Sequence, residues 1–340
     1  MQSAPSLSMI MITDDTYEVC RRTISYLLQQ TAIDQIELII VGESRERINP
    51  DENELGQFHS YQIVEVGKVT SIGKAEAAGV LAAKAENVTY VEEHGFPPPN
   101  LAEVLIREMT EGGHVAVGWG MAASNPGLVA WAHLYGQFGE AVAPILSGPA
   151  TRLGGHHGAY KKSLLVEYGN ELHHVVGCEA VLYADLERRG IKMHITGDVV
   201  GLHTQISDFR SYAVHEFIAQ RAFAAARVDV MNWSIWRRLL YVAGSPLIPF
   251  LRVRRSLHHI RRTGRSRELM PQIAFVMLAA NVAGALGEAM GYLFGAEERV
   301  LTQRMAVELD RYSYVRESDR GQRLAKSPIR RDTTEETPKT

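Results

Sequence analysis

The chain has 340 residues, 46% of them hydrophobic, two cysteines and a formal net charge of −3. That length and composition can bury a sizeable core in one large or two smaller domains and exclude a small cross-linked scaffold; Cys20 and Cys178 are too few for a disulfide framework and lack metal-type spacing, which suits a reducing compartment. The balance of charge gives no overall pull toward nucleic acid, although basic residues gather between Arg237 and Arg267.

The opening stretch MQSAPSLSMIMITDD lacks a basic leader region and breaks its apolar run at Thr13, which argues against a secretory signal and for a start in the cytoplasm. Leu7 to Ile12 is a short apolar run closed by Thr13, Asp14 and Asp15, read as a buried strand and a polar loop; a helix follows over Val19 to Gln30, then a strand over Glu37 to Val41 that ends on Gly42, Glu43 and Ser44. Tyr61 to Val66 reads as a third strand, Lys74 to Ala85 as an Ala-rich helix, Val88 to Val91 as a fourth strand, and Leu101 to Met109 as a helix opened by Asn100. Strands alternating with helices predict a doubly wound, mostly parallel α/β sheet. In such sheets ligands collect at the carboxyl ends of the strands, which selects Asp14 and Asp15, Glu43, and the acidic corner Glu92, Glu93 and His94. Each of these loops, taken singly, is equally explained as a solvated loop.

Val115 to Met121 reads as another strand, and GGHHGAY, residues 154–160, as a flexible polar approach to Lys161 and Lys162. A helix is expected from Glu179 to Arg189, stopped by Gly190, then two short strands, Ile191 to Ile195 and Asp198 to Leu202, the second ending on His203, and a helix over Ser207 to Val228. Beyond it, aromatics and aliphatics interleave with arginines up to Arg267, and Ile273 to Phe294 is apolar enough to reach ~33 Å as a helix, about one bilayer core. Asn281 and Glu288 fall inside that run, so a helix lying in the interface competes with a full span; a buried helical pair or a dimer contact between copies of the chain are the soluble alternatives. The tail after Arg316 is charged and reads as disordered. The division expected is a sheet domain over residues 1–228, an amphipathic and hydrophobic helical region over 229–315 that associates with a membrane from its cytoplasmic face, and a tail over 316–340.

Five segments in order resemble the family 2 glycosyltransferases of the GT-A type over residues 6 to about 228. SLSMIMITDDTYEVCRRTISYLLQQ resembles that family's opening strand, polar loop and helix; IELIIVGES its "EIIVVDDGS"; AENVTYVEEHGFPPPNLAEVLI its "A.geyv.flDdD..p.p..l", with EEHGFPPPN close to the members that carry an "EDH" corner. GGHHGAYKKSLL is similar to the acceptor-side "g.n.ayrr..l", and CEAVLYADLERRGIKMHITGDVVGLH to "EDvdL..Rl...G.ri...p...v.H". The family's "ARN" segment stands here as KAEAAGV, Gly42-Glu43 replaces a double aspartate, and Cys178 replaces the first acid of "ED".

The resemblance implies a GT-A fold and an inverting transfer of a sugar from a nucleotide-sugar donor to a hydroxyl acceptor, such as a membrane-proximal or lipid-linked glycan, with no nucleic-acid partner. Carried over by position, it implies that Thr13, Asp14, Asp15, Glu43, Lys74 and Glu92 contact the nucleotide sugar, that Glu93, His94 and His203 hold Mn²⁺ or Mg²⁺, that Glu179 is the catalytic base, and that His156 and His157 meet the acceptor. These residue types suit the chemistry: carboxylates accept hydrogen bonds from base and ribose, hard cations take oxygen ligands while Mn²⁺ also takes imidazole, and one carboxylate must accept the acceptor's proton. The alternatives are a first-turn glutamate at 179 placed for the helix dipole, ordinary core or surface histidines at 94 and 203, and a catalytically inactive GT-A-like scaffold in a glycan assembly complex.

Overall fold

The computed structural model describes residues 4–125, 127–154 and 157–320. Nine strands form one sheet among the described residues: β1 (Leu7–Ile12), β2 (Ile36–Gly42), β3 (Ser60–Glu65), β4 (Asn87–Val91), β5 (Gly95–Phe96), β6 (Ala116–Ala123), β7 (Gly148–Ala150), β8 (Gly158–Lys161) and β9 (Met193–His203), in the spatial order β3-β2-β1-β4-β8-β6-β9-β5, with β7 also on β9. β1 to β4 pair in parallel, β8 runs antiparallel to both β4 and β6, and β6 pairs in parallel with β9. Two reversals cancel, so β6 and β9 point the same way as β1. Six carboxyl ends, those of β1, β2, β3, β4, β6 and β9, therefore share one rim.

The expected β1 has the bounds observed, and four helices fall where the pattern placed them, α1 (Tyr17–Leu27), α2 (Ile72–Ala82), α3 (Leu101–Thr110) and α5 (Glu179–Arg188), while α4 (Leu128–Gln137) stands where the pattern marked no element. Side chains alternate across the sheet, so Met9, Met11, Leu38 and Ile40 face α1, α3 and α4, while Ile10, Ile39 and Val41 face α2 and α5. Both faces are covered, which is why β2 and β4 are buried throughout. Each such side chain contributes about 1.5–3 kcal/mol on burial.

Two expectations change. Residues 154–160 read as a loop, but their end is β8, the strand that joins the two parallel halves; its glycine is needed because a Cβ on Gly158 would come within 2.4 Å of the Tyr160 hydroxyl. The two short strands expected before His203 are one, β9, whose pairing with β6 slips at Trp119 and Gly120, as in a bulge.

Five helices of ten or more residues follow among the described residues: α6 (Phe209–Val230), α7 (Ile235–Gly244), α8 (Ile248–Arg262), α9 (Gln272–Phe294) and α10 (Glu298–Leu309). Asp208 caps α6, its Oδ2 accepting from the Ser211 amide at 2.8 Å. α9 lies against α6 at backbone contact: a Cβ on Gly287 would sit 2.1 Å from the Phe217 carbonyl, and one on Gly291 2.4 Å from that of Arg221. The charge inside the apolar run is met by protein, since Glu288 pairs with Arg252 at 2.9 Å and accepts from the Tyr292 hydroxyl at 2.6 Å. Val253 and Ile260 of α8 and Ile273 and Met277 of α9 belong to the same apolar cluster as Met9, so the core runs on from the sheet into the helical region. α9 is the one helix among the described residues long and apolar enough to cross a membrane, and nearly half of it is buried. Residues 317–320 form a short helical turn; residues 321–340 of the expected tail lie outside the described residues.

Candidate functional site

The acidic corner sits where β4 ends. Gly95 donates back to the Glu92 carbonyl at 3.0 Å, closing a tight turn, and Thr23 Oγ1 of α1 lies 2.8 Å from the Glu93 carbonyl and 3.0 Å from that of Gly95. The chain then pairs with the end of β9, Gly95 opposite His203, and the Thr204 amide donates to the His94 carbonyl at 2.9 Å. This pairing carries His203 to Glu92, 111 residues away in sequence, with 2.9 Å between His203 Nε2 and Glu92 Oε2.

Glu92 Oε2, His94 Nε2 and His203 Nε2 lie within 4.8 Å of one another, and Glu92 Oε2 is 3.6 Å from both His94 Nε2 and His157 Nε2. The rings of His94 and His203 meet edge to face at 80°, so their nitrogen lone pairs can converge on one point. Each ring is oriented through its other nitrogen. Glu93 Oε2 lies 2.9 Å from His94 Nδ1, and Gln205 Nε2 lies 2.7 Å from His203 Nδ1 while Gln205 Oε1 reaches His133 Nδ1 at 2.6 Å. As placed, Gln205 Nε2 donates to His203 Nδ1 and His203 Nε2–H donates to Glu92; the flipped amide, which bridges the two rings equally well, would leave the Nε2 lone pair of His203 for a ligand.

The polar inventory here is incomplete. His94 and Glu93 are buried, yet His94 Nε2 and Glu93 Oε1 make no hydrogen bond. Burial alone would push the Glu92 carboxyl up, but His94, His203 and His157 around it hold it well below its ordinary value. Burial, then the neighbouring His94, hold the His203 imidazole well below its own, which keeps it neutral and able to act as a ligand. An unmet imidazole nitrogen, two converging rings and an ionised carboxylate fit a divalent cation, and the nitrogen-rich donor set suits Mn²⁺ better than Mg²⁺. The converging carboxylate is Glu92, which the sequence assigned to the nucleotide sugar; Glu93, assigned to the metal, instead fixes the His94 ring from behind.

The other sequence-selected residues lie around this rim. Thr13 is buried, its amide bonded to the Val41 carbonyl at 3.0 Å. Asp14 is exposed, yet its carboxyl is raised, mainly by desolvation from the atoms around it; Asp15 pairs with Arg47 at 3.2 Å; Glu43 and Lys74 are exposed. His157, expected on a mobile acceptor loop, is packed inside, its ring edge-on to Trp119, Phe138 and His203. His156 lies outside the described residues. Glu179 opens α5, and its charge, after burial, helps keep the phenols of Tyr160 and Tyr183 protonated. The Tyr90 phenol, likewise kept protonated by burial and then by Glu76 and Glu179 among its neighbours, lines a small cavity together with Glu92 and Glu93, so the base expected at 179 and the acidic corner share a neighbour.

Sequence reasoning missed Glu76, Gln205, His133 and Arg311. Glu76 is a buried acid in the Ala-rich α2 that lines the same cavity, and an acid on the inward face of such a helix was the one available signal. A second group, Glu108, His114 and His194, lies toward the amino ends of the strands. Its histidine rings stack at 3.9 Å and only 9° from parallel, so their lone pairs run side by side and do not converge.

No protein-family model matches the sequence, and no curated protein matches it. Among solved structures the chain is similar to S. aureus TarS residues 1–349 in complex with UDP, with a TM-score of 0.45 and 11% identity over 84% of this chain and 90% of that one. It is also similar to S. aureus TarS in a longer form, with a TM-score of 0.45 and 10% identity over 84% of this chain and 55% of that one, and to TarS 1–349 in a further structure, with a TM-score of 0.43 and 11% identity. These likenesses carry no residue assignment.

Proposed function

We propose that the protein is a glycosyltransferase that moves a sugar from a nucleotide-sugar donor to a hydroxyl acceptor with inversion, using Mn²⁺ or Mg²⁺ held by Glu92, His94 and His203. The observation that carries this reading is the convergence of Glu92 Oε2, His94 Nε2 and His203 Nε2 at the carboxyl rim of a mostly parallel sheet, the place where such sheets bind nucleotides. When bound, the cation supplies positive charge to the departing diphosphate.

The chain's own residues supply the rest. Asp14 and Glu43, at the ends of β1 and β2, accept hydrogen bonds from base and ribose, with Lys74 and Asp15 beside them. Glu93 and Gln205 hold the two ligand rings in place. The acceptor oxygen bonds to the anomeric carbon as the bond from that carbon to the diphosphate oxygen breaks, and Glu179 takes the proton from the acceptor hydroxyl. A catalytically inactive scaffold would need only the fold, and would have no use for buried groups left without partners.

The reading extends to a membrane-proximal acceptor. α7, α8 and α9 pack on one another yet leave Trp236, Leu240, Phe250, Phe275, Leu286 and Phe294 exposed, and Arg237, Arg254 and Arg261 are exposed along α7 and α8. Aromatics and arginines on one helical region suit the headgroup level of an anionic bilayer, with the helices lying in the interface and α9 kept against α6.

The direct test is transfer or donor hydrolysis measured over a panel of nucleotide sugars with and without Mn²⁺. Mn²⁺-dependent turnover that is lost in Glu92→Gln and in His203→Ala supports the assignment; turnover unchanged in both overturns it. Co-sedimentation with phosphatidylglycerol-containing vesicles but not with pure phosphatidylcholine, weakened in Trp236→Glu/Phe250→Glu, tests the membrane face.

A further inference from the structure

The rim that should admit a donor is filled by the chain itself. After α10 the backbone turns at Asp310, makes a short 3-10 turn over Arg311–Tyr314 and crosses the strand ends. Leu309 is buried in the cluster that holds Ile10 and Tyr90, and Tyr312 and Val315 pack on Phe96 just beyond the acidic corner. Farther on, the Arg316 amide donates to Ser207 Oγ at 2.9 Å and Asn125 Nδ2 reaches Asp319 at 3.4 Å. Glu308 and Leu309 leave beside Glu92, Glu93 and Tyr90 a cavity of only about 30 Å³. Ligand pockets are roughly 300–1,000 Å³, so the space beside the acidic corner is too small for a diphosphate while this segment stays down.

The segment is held in a way that suits release. The Asp310 amide donates to the Ala306 carbonyl at 2.9 Å, that of Ser313 to Asp310 at 3.1 Å and that of Asp319 to Arg316 at 2.8 Å, so these bonds are local to α10 and the segment. It carries Arg311 into the interior with 0% exposure. That guanidinium bonds to Glu308 through Nη2 at 2.5 Å, while its Nε and Nη1 have no hydrogen-bond partner. A buried charge with three of its five N–H donors unmet opposes the closed position that the apolar side chains favour. The two effects act on one short segment with opposite sign.

We propose that residues 308–319 are a gate over the donor cleft, closed in this structure by Leu309, Tyr312 and Val315, biased toward opening by the buried Arg311, and displaced when a nucleoside diphosphate binds. The proposal rests on the strand-end cleft being a nucleotide site. It makes apparent donor affinity the intrinsic affinity reduced by the fraction of molecules that are open.

The test uses full-length protein, UDP and GDP each with Mn²⁺, and hydrogen exchange read over residues 309–319. Leu309→Ser should speed exchange of the segment in the unliganded protein and tighten nucleoside diphosphate binding about fivefold or more. Arg311→Met, which removes the unmet charge and keeps an apolar stem, should slow that exchange and weaken binding by a similar factor. In the wild type, saturating nucleotide should speed exchange of residues 309–319. Should both variants move exchange and affinity in the same direction, or should wild type and Leu309→Ser bind equally with unchanged exchange, the gate is overturned. If exchange responds in opposite senses but neither nucleotide binds any form, it is the donor reading that fails.

Discussion

The two ends of the same sheet treat buried charge in opposite ways. At the amino end Glu37 is fully buried and fully served: Ser8 donates to it at 2.6 Å, the Lys84 amide at 2.7 Å and Gln62 at 3.1 Å. At the carboxyl end Glu93 Oε1, His94 Nε2 and two nitrogens of Arg311 are just as enclosed and have no hydrogen bond. Burying an unmet polar group costs about 1–3 kcal/mol. A polar group that the fold satisfies is part of the fold; one that it leaves short awaits a partner from outside.

Substitutions at the two ends should therefore separate stability from activity. The largest effect is expected from Glu92→Gln, which removes the carboxylate charge at the convergence point: sugar transfer should fall at least about 1,000-fold, ~4 kcal/mol of barrier, with the thermal midpoint little changed. Turnover within tenfold of wild type would remove Glu92 from the site. Glu37→Ala should do the reverse, lowering unfolding free energy by about 3 kcal/mol in urea titrations while activity per folded molecule is kept.

A pH titration addresses the histidines beside the carboxyl rim. Burial, with Arg311 and Arg304 nearby, depresses the His215 imidazole to about 4, outweighing the pull of Glu308. Its folded value lies below the unfolded one, so the stability it contributes is complete above about pH 6.5 and is lost as the pH falls toward 4, a change of about 3 kcal/mol. His215→Gln should flatten unfolding free energy over that window; an unaltered slope would show that another group controls it. The smallest change is expected from Glu93→Gln, which keeps a partner for His94 but loses its charge: Mn²⁺ affinity by calorimetry should drop about 10–100-fold with the fold intact.

Much of this was legible in the sequence because it rests on local pattern. Apolar runs ending on acids located β1, β2 and β4, and the strand-end rule picked out Glu92 to His94, while His203 was marked as the end of a late strand and through the family resemblance. What stayed hidden depends on partners distant in the chain. The run leading into β8 is too rich in glycine to read as a strand, and β8 forms because β4 and β6 supply its hydrogen bonds on both sides. That Glu92 meets His203 while Glu93 meets His94 Nδ1 turns on which way two adjacent side chains leave a tight turn, which periodicity does not encode. Arg311 lies in a polar stretch that reads as surface, and only the apolar contacts of Leu309 and Tyr312 draw it inside.

The short pairing of β5 with the end of β9 has a further consequence for assembly. Because Gly95 must find His203 before Glu92, His94 and His203 meet, the cation affinity proposed for them would arise only when a late long-range contact closes. Mn²⁺ uptake during refolding would thus report that β5 has found β9, and a nascent chain still lacking β9 would have no means of capturing the ion prematurely.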